Sequence, residues 1–242
     1  MNGKLFVIVP CFNEEACIAA TLRDLRRDLP EARIVAVNDG SSDHTLGCLL
    51  ALDDPGLTVL DLPFNTGIGA AVQTGLRYAS RHGADYAVKF DADGQHPAAA
   101  IPGMLEAIDR GTADLIIGSR FLEKEGFQST FCRRLGIGFF RALNSLLTGQ
   151  RVTDNTSGFR AYDRAALNFA AENYPSFDYP EPEEVVLMAK NRFRIAEVPI
   201  KMRCRQGGKS SISPAKSVYY MCKVLFSVLM ASLRPATRGR EE

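Results

Sequence analysis

Three histidines and six scattered cysteines are a thin supply of soft metal ligands. Cys11, Cys17, Cys48, Cys132, Cys204 and Cys222 form no C-x-x-C pair, so a zinc site is not expected and reduced thiols are. The net charge is +1, which gives no global field to draw the chain to nucleic acid. No stretch reaches the ~20 apolar residues of a membrane span. The apolar run in "MNGKLFVIVPCFNEE" is too short for a signal peptide. What the 242 residues do have is an ordinary globular balance, 46% hydrophobic and 24% charged, enough for one large core.

The first half alternates two periodicities. "LFVIV" (Leu5–Val9), "RIVAVN" (Arg33–Asn38), "LTVLD" (Leu57–Asp61), "YAVKF" (Tyr86–Phe90) and "DLIIG" (Asp114–Gly118) read as buried strands. Between them lie helix-spaced apolar residues, as in Glu14–Leu29 with Ile18, Leu22, Leu25 and Leu29, in the helix opening at "NTGIGAA", and in a helix after Pro97. This predicts an α/β fold with a mostly parallel central sheet flanked by helices. The second half is less regular. It predicts helices at 131–148 and 181–190, a short strand after "DNTSGFRAY", a strand at 194–200, a basic loop "RCRQGGKSS", and a helix from about Pro214 to Leu233.

Ligands of such sheets bind beyond the carboxyl ends of the strands. "PCFNEE", "NDGSSD" and "DADGQ" all sit at strand ends, so the fold gathers them along one edge. Asp91 and Asp93 supply hard oxygen ligands of the kind Mg2+ and Mn2+ prefer, and Gln95 adds a neutral oxygen. Asp39 can accept hydrogen bonds from a nucleobase or ribose, Phe12 can stack on a base, and Glu14 can accept from a ribose. Taken singly, each is equally well a cap or turn, with Asn13 and Asp43 as N-caps and His96 as a turn residue. Two lookalikes fail: Val72 stands where a dinucleotide fingerprint needs its third glycine, and Arg203 where a P-loop needs its first.

The ordered set "VIVPCFNEE", "VNDGSSDHT", "NTGIGAAVQTGLRYA", "FDADGQHP", "IIGSRF", "DNTSGFRAY" and "EVPIKMRCRQGGKSS" resembles the family 2 glycosyltransferases of the GT-A fold. It is most similar to their dolichyl- and polyprenyl-phosphate sugar synthase branch. The resemblance implies a nucleotide-diphospho-sugar transferase domain over residues 1–212 and a metal-dependent, inverting transfer from a UDP- or GDP-sugar. It implies that Pro10, Phe12, Glu14, Asp39 and Asp91 bind the nucleotide. Asp91, Asp93 and Gln95 then hold Mg2+ or Mn2+ and the diphosphate. Asp93, Arg120, Arg133, Arg160 and Arg205 act on the donor and acceptor phosphates. A phosphate acceptor is already anionic and needs positioning cations rather than a general base, a role suited to arginine. A hydroxyl acceptor on a glycan or lipid-linked sugar would need a carboxylate base, with Asp154, Glu181 and Glu183 as candidates. A third reading is a non-catalytic nucleotide-sugar-binding subunit of a membrane complex, which the intact Asp91/Asp93 pair disfavours.

Residues 213–242 read as an amphipathic C-terminal helix and basic tail. Lys216, Lys223, Ser227 and Arg234 share one helical face, and Met221, Leu225, Val228 and Leu229 the opposite one, with Phe226 near its edge. With Arg238 and Arg240, this predicts a cytoplasmic enzyme peripheral to the inner face of the membrane. The expected partners are a nucleotide sugar donor, polyprenyl phosphate or a lipid-linked acceptor, and the membrane surface. A small membrane-protein partner or a homo-oligomer is a further expectation, and nucleic acid is not.

Overall fold

The computed structural model describes residues 3–122, 143–178, 180–203 and 214–237, with the backbone alone over 214–222. The predicted strands form as β1 (Leu5–Cys11), β2 (Arg33–Asp39), β3 (Leu57–Leu62), β4 (Tyr86–Lys89) and β5 (Leu115–Ser119). They are joined by helices α1 (Ile18–Asp28), α2 (Thr45–Leu50), α3 (Ile68–Arg81) and α4 (Ile101–Asp109). Then follow β6 (Arg160–Asp163), α5 (Arg164–Asn173), α6 (Glu181–Lys190), β7 (Ile195–Pro199) and α7 (Pro214–Leu233). Of the predicted helix at 131–148, residues 143–148 are helical and 131–142 lie outside the described residues.

The strands make one seven-stranded sheet in the order β3-β2-β1-β4-β6-β5-β7. Every neighbouring pair is parallel except those made by β6, which runs antiparallel to both β4 and β5. Both faces are covered, as near-continuous apolar strands require. Ile8, Val35 and Val37 pack with α3 and α5 through Val72, Leu76, Leu167 and Phe169. Val7, Val9, Ile34 and Ala36 pack with α1 and α4 through Leu22, Leu25, Ile101 and Leu105.

Two helices start later than the periodicity predicts, for the same kind of reason. α1 begins at Ile18 rather than Glu14, because Asn13 takes a left-handed φ of 56° and the next residues are tied to the following loop. Asn13 N–H donates to Ser41 Oγ, Glu14 N–H to Thr45 Oγ1, and Asn13 Oδ1 accepts from Ser42 N–H at 2.8 Å. α3 begins at Ile68 because the Thr66 and Gly67 amides are held by Asp39 and Gly67 has a φ of 91°. Its first turn docks tightly. Gly69 N–H donates to Phe177 O at 2.7 Å, and a Cβ on Gly69 would lie 1.8 Å from Ser176 O, so only glycine permits this approach.

Candidate active site

The parallel strands place Phe12, Asp39, Asp91, Asp93 and Arg120 along one carboxyl edge. Because β6 is reversed, its beginning lies at that same edge, which brings the 150–159 loop beside the exit of β4. Gly158 marks the meeting point: a Cβ there would stand 3.0 Å from Asp91 Oδ2 and 3.4 Å from Lys89 Nζ.

The aspartate turn is built locally. Thr21 Oγ1 on α1 donates to Ala92 O at 2.9 Å, pinning the backbone between the two carboxylates. Asp93 Oδ1 accepts the Gln95 N–H at 3.0 Å across Gly94, whose φ is 72°. Asp91 Oδ2 bonds His96 Nε2 at 2.9 Å, while Asp91 Oδ1 is buried without a hydrogen-bond partner. Burial alone would push the Asp91 carboxyl up. The His96 hydrogen bond and the positive charges of Lys89 and Arg120 outweigh it and hold the group well below the usual carboxylate range. Arg203 N–H donates to Gln95 O at 2.8 Å, so the basic loop after β7 starts against this turn.

Other expected residues are placed differently. Asp39 is 2% exposed and spends Oδ1 on the amide and hydroxyl of Thr66 and Oδ2 on the Gly67 amide. It organises the α3 entrance; Oδ1 is used by two donors, and Oδ2, with one, keeps a second lone pair. Phe12 is 45% exposed, Glu14 is half-buried, and Pro10 is buried within β1. Arg120 is clamped to Asp154, Nε to Oδ2 and Nη2 to Oδ1 at 2.7 Å each. Glu197 in turn accepts the amides of Thr153 and Asp154.

Arg160 requires a correction. Expected on substrate phosphates, it is fully buried, with Nη1 on Glu184 at 2.7 Å and its remaining hydrogen bonds on the carbonyls of Ser157, Asn155 and Glu181. It is an interior cation that locks β6 to α6. The three carboxylates considered as bases are also engaged. Asp154 is held by Arg120, Glu181 by the fully buried Lys89, and Glu183 lies 3.7 Å from Arg234. Burial pushes the Glu183 carboxyl up, against a Ser176 hydrogen bond and the Arg234 charge. Arg133 and Arg205 lie outside the described residues.

Sequence reasoning passed over Lys89 and Glu184 and weighed His96 as a turn residue. A lysine inside "YAVKF" is a usable signal, since a buried ammonium needs an acidic partner. His96 is neither an exposed turn residue nor aimed outward, but 4% exposed behind Asp91. Glu184 gave no signal that distinguishes it from its neighbours in "EPEE".

The C-terminal helix also differs from expectation. Val228, assigned to a lipid-facing side, packs with Val224 and Ala231 against Val186 of α6. Lys223 and Arg234 pair with Asp178 and Glu183. Phe226 and Leu229 are exposed as expected, at 66 and 42%, and Met230 and Leu233 join them at 44 and 75%. Their i, i+3, i+4, i+7 spacing makes one stripe facing away from the core. The side chains of Lys216 and Met221 lie outside the described residues. Among the described residues, no helix is long and apolar enough to cross a membrane.

The residues at the aspartate turn suit a divalent ion that takes few protein ligands. Asp91 Oδ1 is a buried acceptor awaiting a donor or cation, and Asp93 lies two residues on. Among the described residues, no group of three His, Cys, Asp or Glu side chains could hold a metal by itself. An ion here would complete its shell with donor phosphate oxygens and water, as Mg2+ commonly does.

Comparison with known proteins agrees with this geometry. The model of the family described as Glycosyl transferase family 2 matches residues 6–169. The undecaprenyl-phosphate mannosyltransferase of Micrococcus luteus is 33% identical, over 87% of this chain and 88% of its own. The polyprenol monophosphomannose synthase of Mycolicibacterium smegmatis is 32% identical, over 91% and 85%. Glucosyl-3-phosphoglycerate synthase from Mycobacterium tuberculosis, solved with Mn2+, UDP and phosphoglyceric acid, matches 98% of this chain and 81% of its own. The TM-score is 0.69 at 20% identity, a likeness of GT-A fold. The chain is therefore a glycosyltransferase and belongs to glycosyl transferase family 2.

Proposed function

We propose that this enzyme moves a sugar from a UDP- or GDP-sugar onto the phosphate of a polyprenyl phosphate, with Mg2+ or Mn2+ at Asp91 and Asp93. The acceptor phosphate oxygen attacks the anomeric carbon from the face opposite the diphosphate. The new C–O bond forms as the bond to the diphosphate breaks, and the nucleoside diphosphate leaves with the electron pair. Asp91 and Asp93 would hold the divalent ion, which would supply Lewis-acid stabilisation of the departing charge. Pro10, Phe12, Glu14 and Asp39 frame the nucleoside end of the site, and Gln95 adds a carboxamide oxygen near the diphosphate.

One observation favours a phosphate over a hydroxyl acceptor: Asp154 and Glu181, two of the three candidate bases, are each ion-paired within hydrogen-bond distance to a cation of this chain. A carboxylate so engaged is a poor proton acceptor, and a phosphate acceptor needs none. The names of the relatives, which act on lipid phosphates, point the same way. The test is a screen of nucleotide sugars against a short polyprenyl phosphate, with and without Mn2+. The expected product is a sugar phosphodiester released by mild acid and formed only with metal. An acid-stable glycoside as sole product overturns the reading.

A lipid acceptor also calls for a place at the membrane surface, on its inner face. The Phe226, Leu229, Met230 and Leu233 stripe, flanked by Lys223 and Arg234, has the arrangement of an interfacial helix. Because these side chains are exposed, F226S/M230S/L233S should fold normally. Its binding to anionic vesicles should fall by about tenfold or more, the equivalent of losing at least one fully inserted apolar side chain. Sedimentation with vesicles is the measurement. Equal partitioning of wild type and variant removes the stripe from the membrane.

A further inference from the structure

His96 is held by aromatic packing. Its ring stacks on Phe159, with centroids 4.8 Å apart and planes 23° apart, and meets Phe90 edge-on at 5.7 Å. Phe90 and Phe159 brace each other at 5.5 Å and 90°. This leaves the imidazole with one direction in which to act. Its Nε2 reaches Asp91 Oδ2 at 2.9 Å. An ionised carboxylate only accepts, so Nε2 carries the hydrogen. Nδ1 is buried with no hydrogen-bond partner. An apolar ring would fill this space without burying an unpaired nitrogen, so packing alone does not account for a histidine here.

The other side of the contact is equally constrained. With Oδ2 taken by His96 and the carboxylate backed by Gly158, Oδ1 of Asp91 is left buried and unpartnered. We propose that His96 is a positioning residue. By holding Oδ2 through Nε2–H, it fixes the rotation of the Asp91 carboxylate and presents Oδ1 to the divalent ion of the bound nucleotide. Second-sphere partners of this kind orient ligating carboxylates. The inference rests on the reading of Asp91 as a metal-facing residue.

The test compares H96F, which keeps the aromatic stack and lacks the donor, with H96Q, whose amide can reach towards the Nε2 position. Mn2+ affinity in the presence of UDP is followed by electron paramagnetic resonance of the free ion, alongside thermal melting. H96F should bind Mn2+–UDP on the order of 10–100-fold more weakly, the usual effect of removing such a partner. H96Q should recover most of that loss. The donor KM should rise in H96F while the acceptor KM holds. In a D91N background, H96F should have little further effect, because the histidine acts through that carboxylate. Should H96F fail to fold, H96Q against H96N gives the same reading, because the shorter asparagine cannot reach. Unchanged Mn2+–UDP affinity in H96F, equal loss in H96Q and H96N, or an undiminished effect in D91N overturns the proposal. Failure of the wild type to bind Mn2+ with any nucleoside diphosphate overturns both this inference and the reading beneath it.

Discussion

Asp93→Ala is expected to give a folded protein that transfers sugar on the order of 10²–10³ times more slowly, the range seen when one group stabilising transition-state charge is removed. Asp93 is partly exposed at the tip of a turn, and its Oδ1 accepts a local bond from Gln95 N–H. Such a bond contributes about 1 kcal/mol, so the melting temperature should move little. On the proposed reading, activity carries the loss because the departing diphosphate would no longer have its cation held in place. Asp93→Asn should fall between the two, since its carbonyl still offers an oxygen but no charge. Initial rates of nucleoside diphosphate release at several Mn2+ concentrations, beside a thermal melt, separate the two effects. Near-wild-type turnover at saturating metal would count against any metal role for Asp93.

Glu184→Ala should be the most damaging single change to stability. The carboxylate is 1% exposed and accepts from Arg160 Nη1 at 2.7 Å and from the Tyr162 hydroxyl at 2.8 Å. Removing it leaves a guanidinium buried without its counter-charge, at a cost of about 3–5 kcal/mol. That is a large share of the ~5–15 kcal/mol that holds a typical domain together. The Tyr162 phenol, pushed well above its ordinary value by burial and by the Glu184 charge, stays neutral and does not replace it. Arg160→Met combined with Glu184→Leu should recover much of the loss, because the desolvated charges leave together. Urea unfolding of the single and double variants is the measurement. A loss below about 1 kcal/mol for Glu184→Ala would mean that the pair is not the lock described.

The sheet was legible because each of the first five strands is an apolar run closed by a turn residue, and this pattern survives whatever the neighbours do. The strand-end clusters were legible because parallel topology places them without further information. Arg160 was not. In the sequence it is an arginine after "SGF", and whether it meets a phosphate or a buried glutamate depends on how α6, with Glu184 lying 24 residues further on, packs back against β6. The face of α7 failed for a related reason. Helical periodicity gives two apolar arcs on that helix, and only the column presented by Val186 decides which is inside. His96 was hidden by its proline neighbour, which announces a turn and says nothing of the phenylalanine cage.

The reversed strand has a consequence for synthesis. β1 to β4 come from the first ninety or so residues and can pair among themselves as the chain emerges. The partner on the other side of β4 is residues 160–163, in the register Lys89 to Arg160. Until that segment leaves the ribosome, β4 presents an open edge of backbone donors and acceptors, with the aspartate turn at its tip. Open edges of this kind pair readily with foreign strands. The order of the chain thus leaves the central strand of the site with one edge uncovered until β6 is made, and a ribosome stalled before residue 160 would display it.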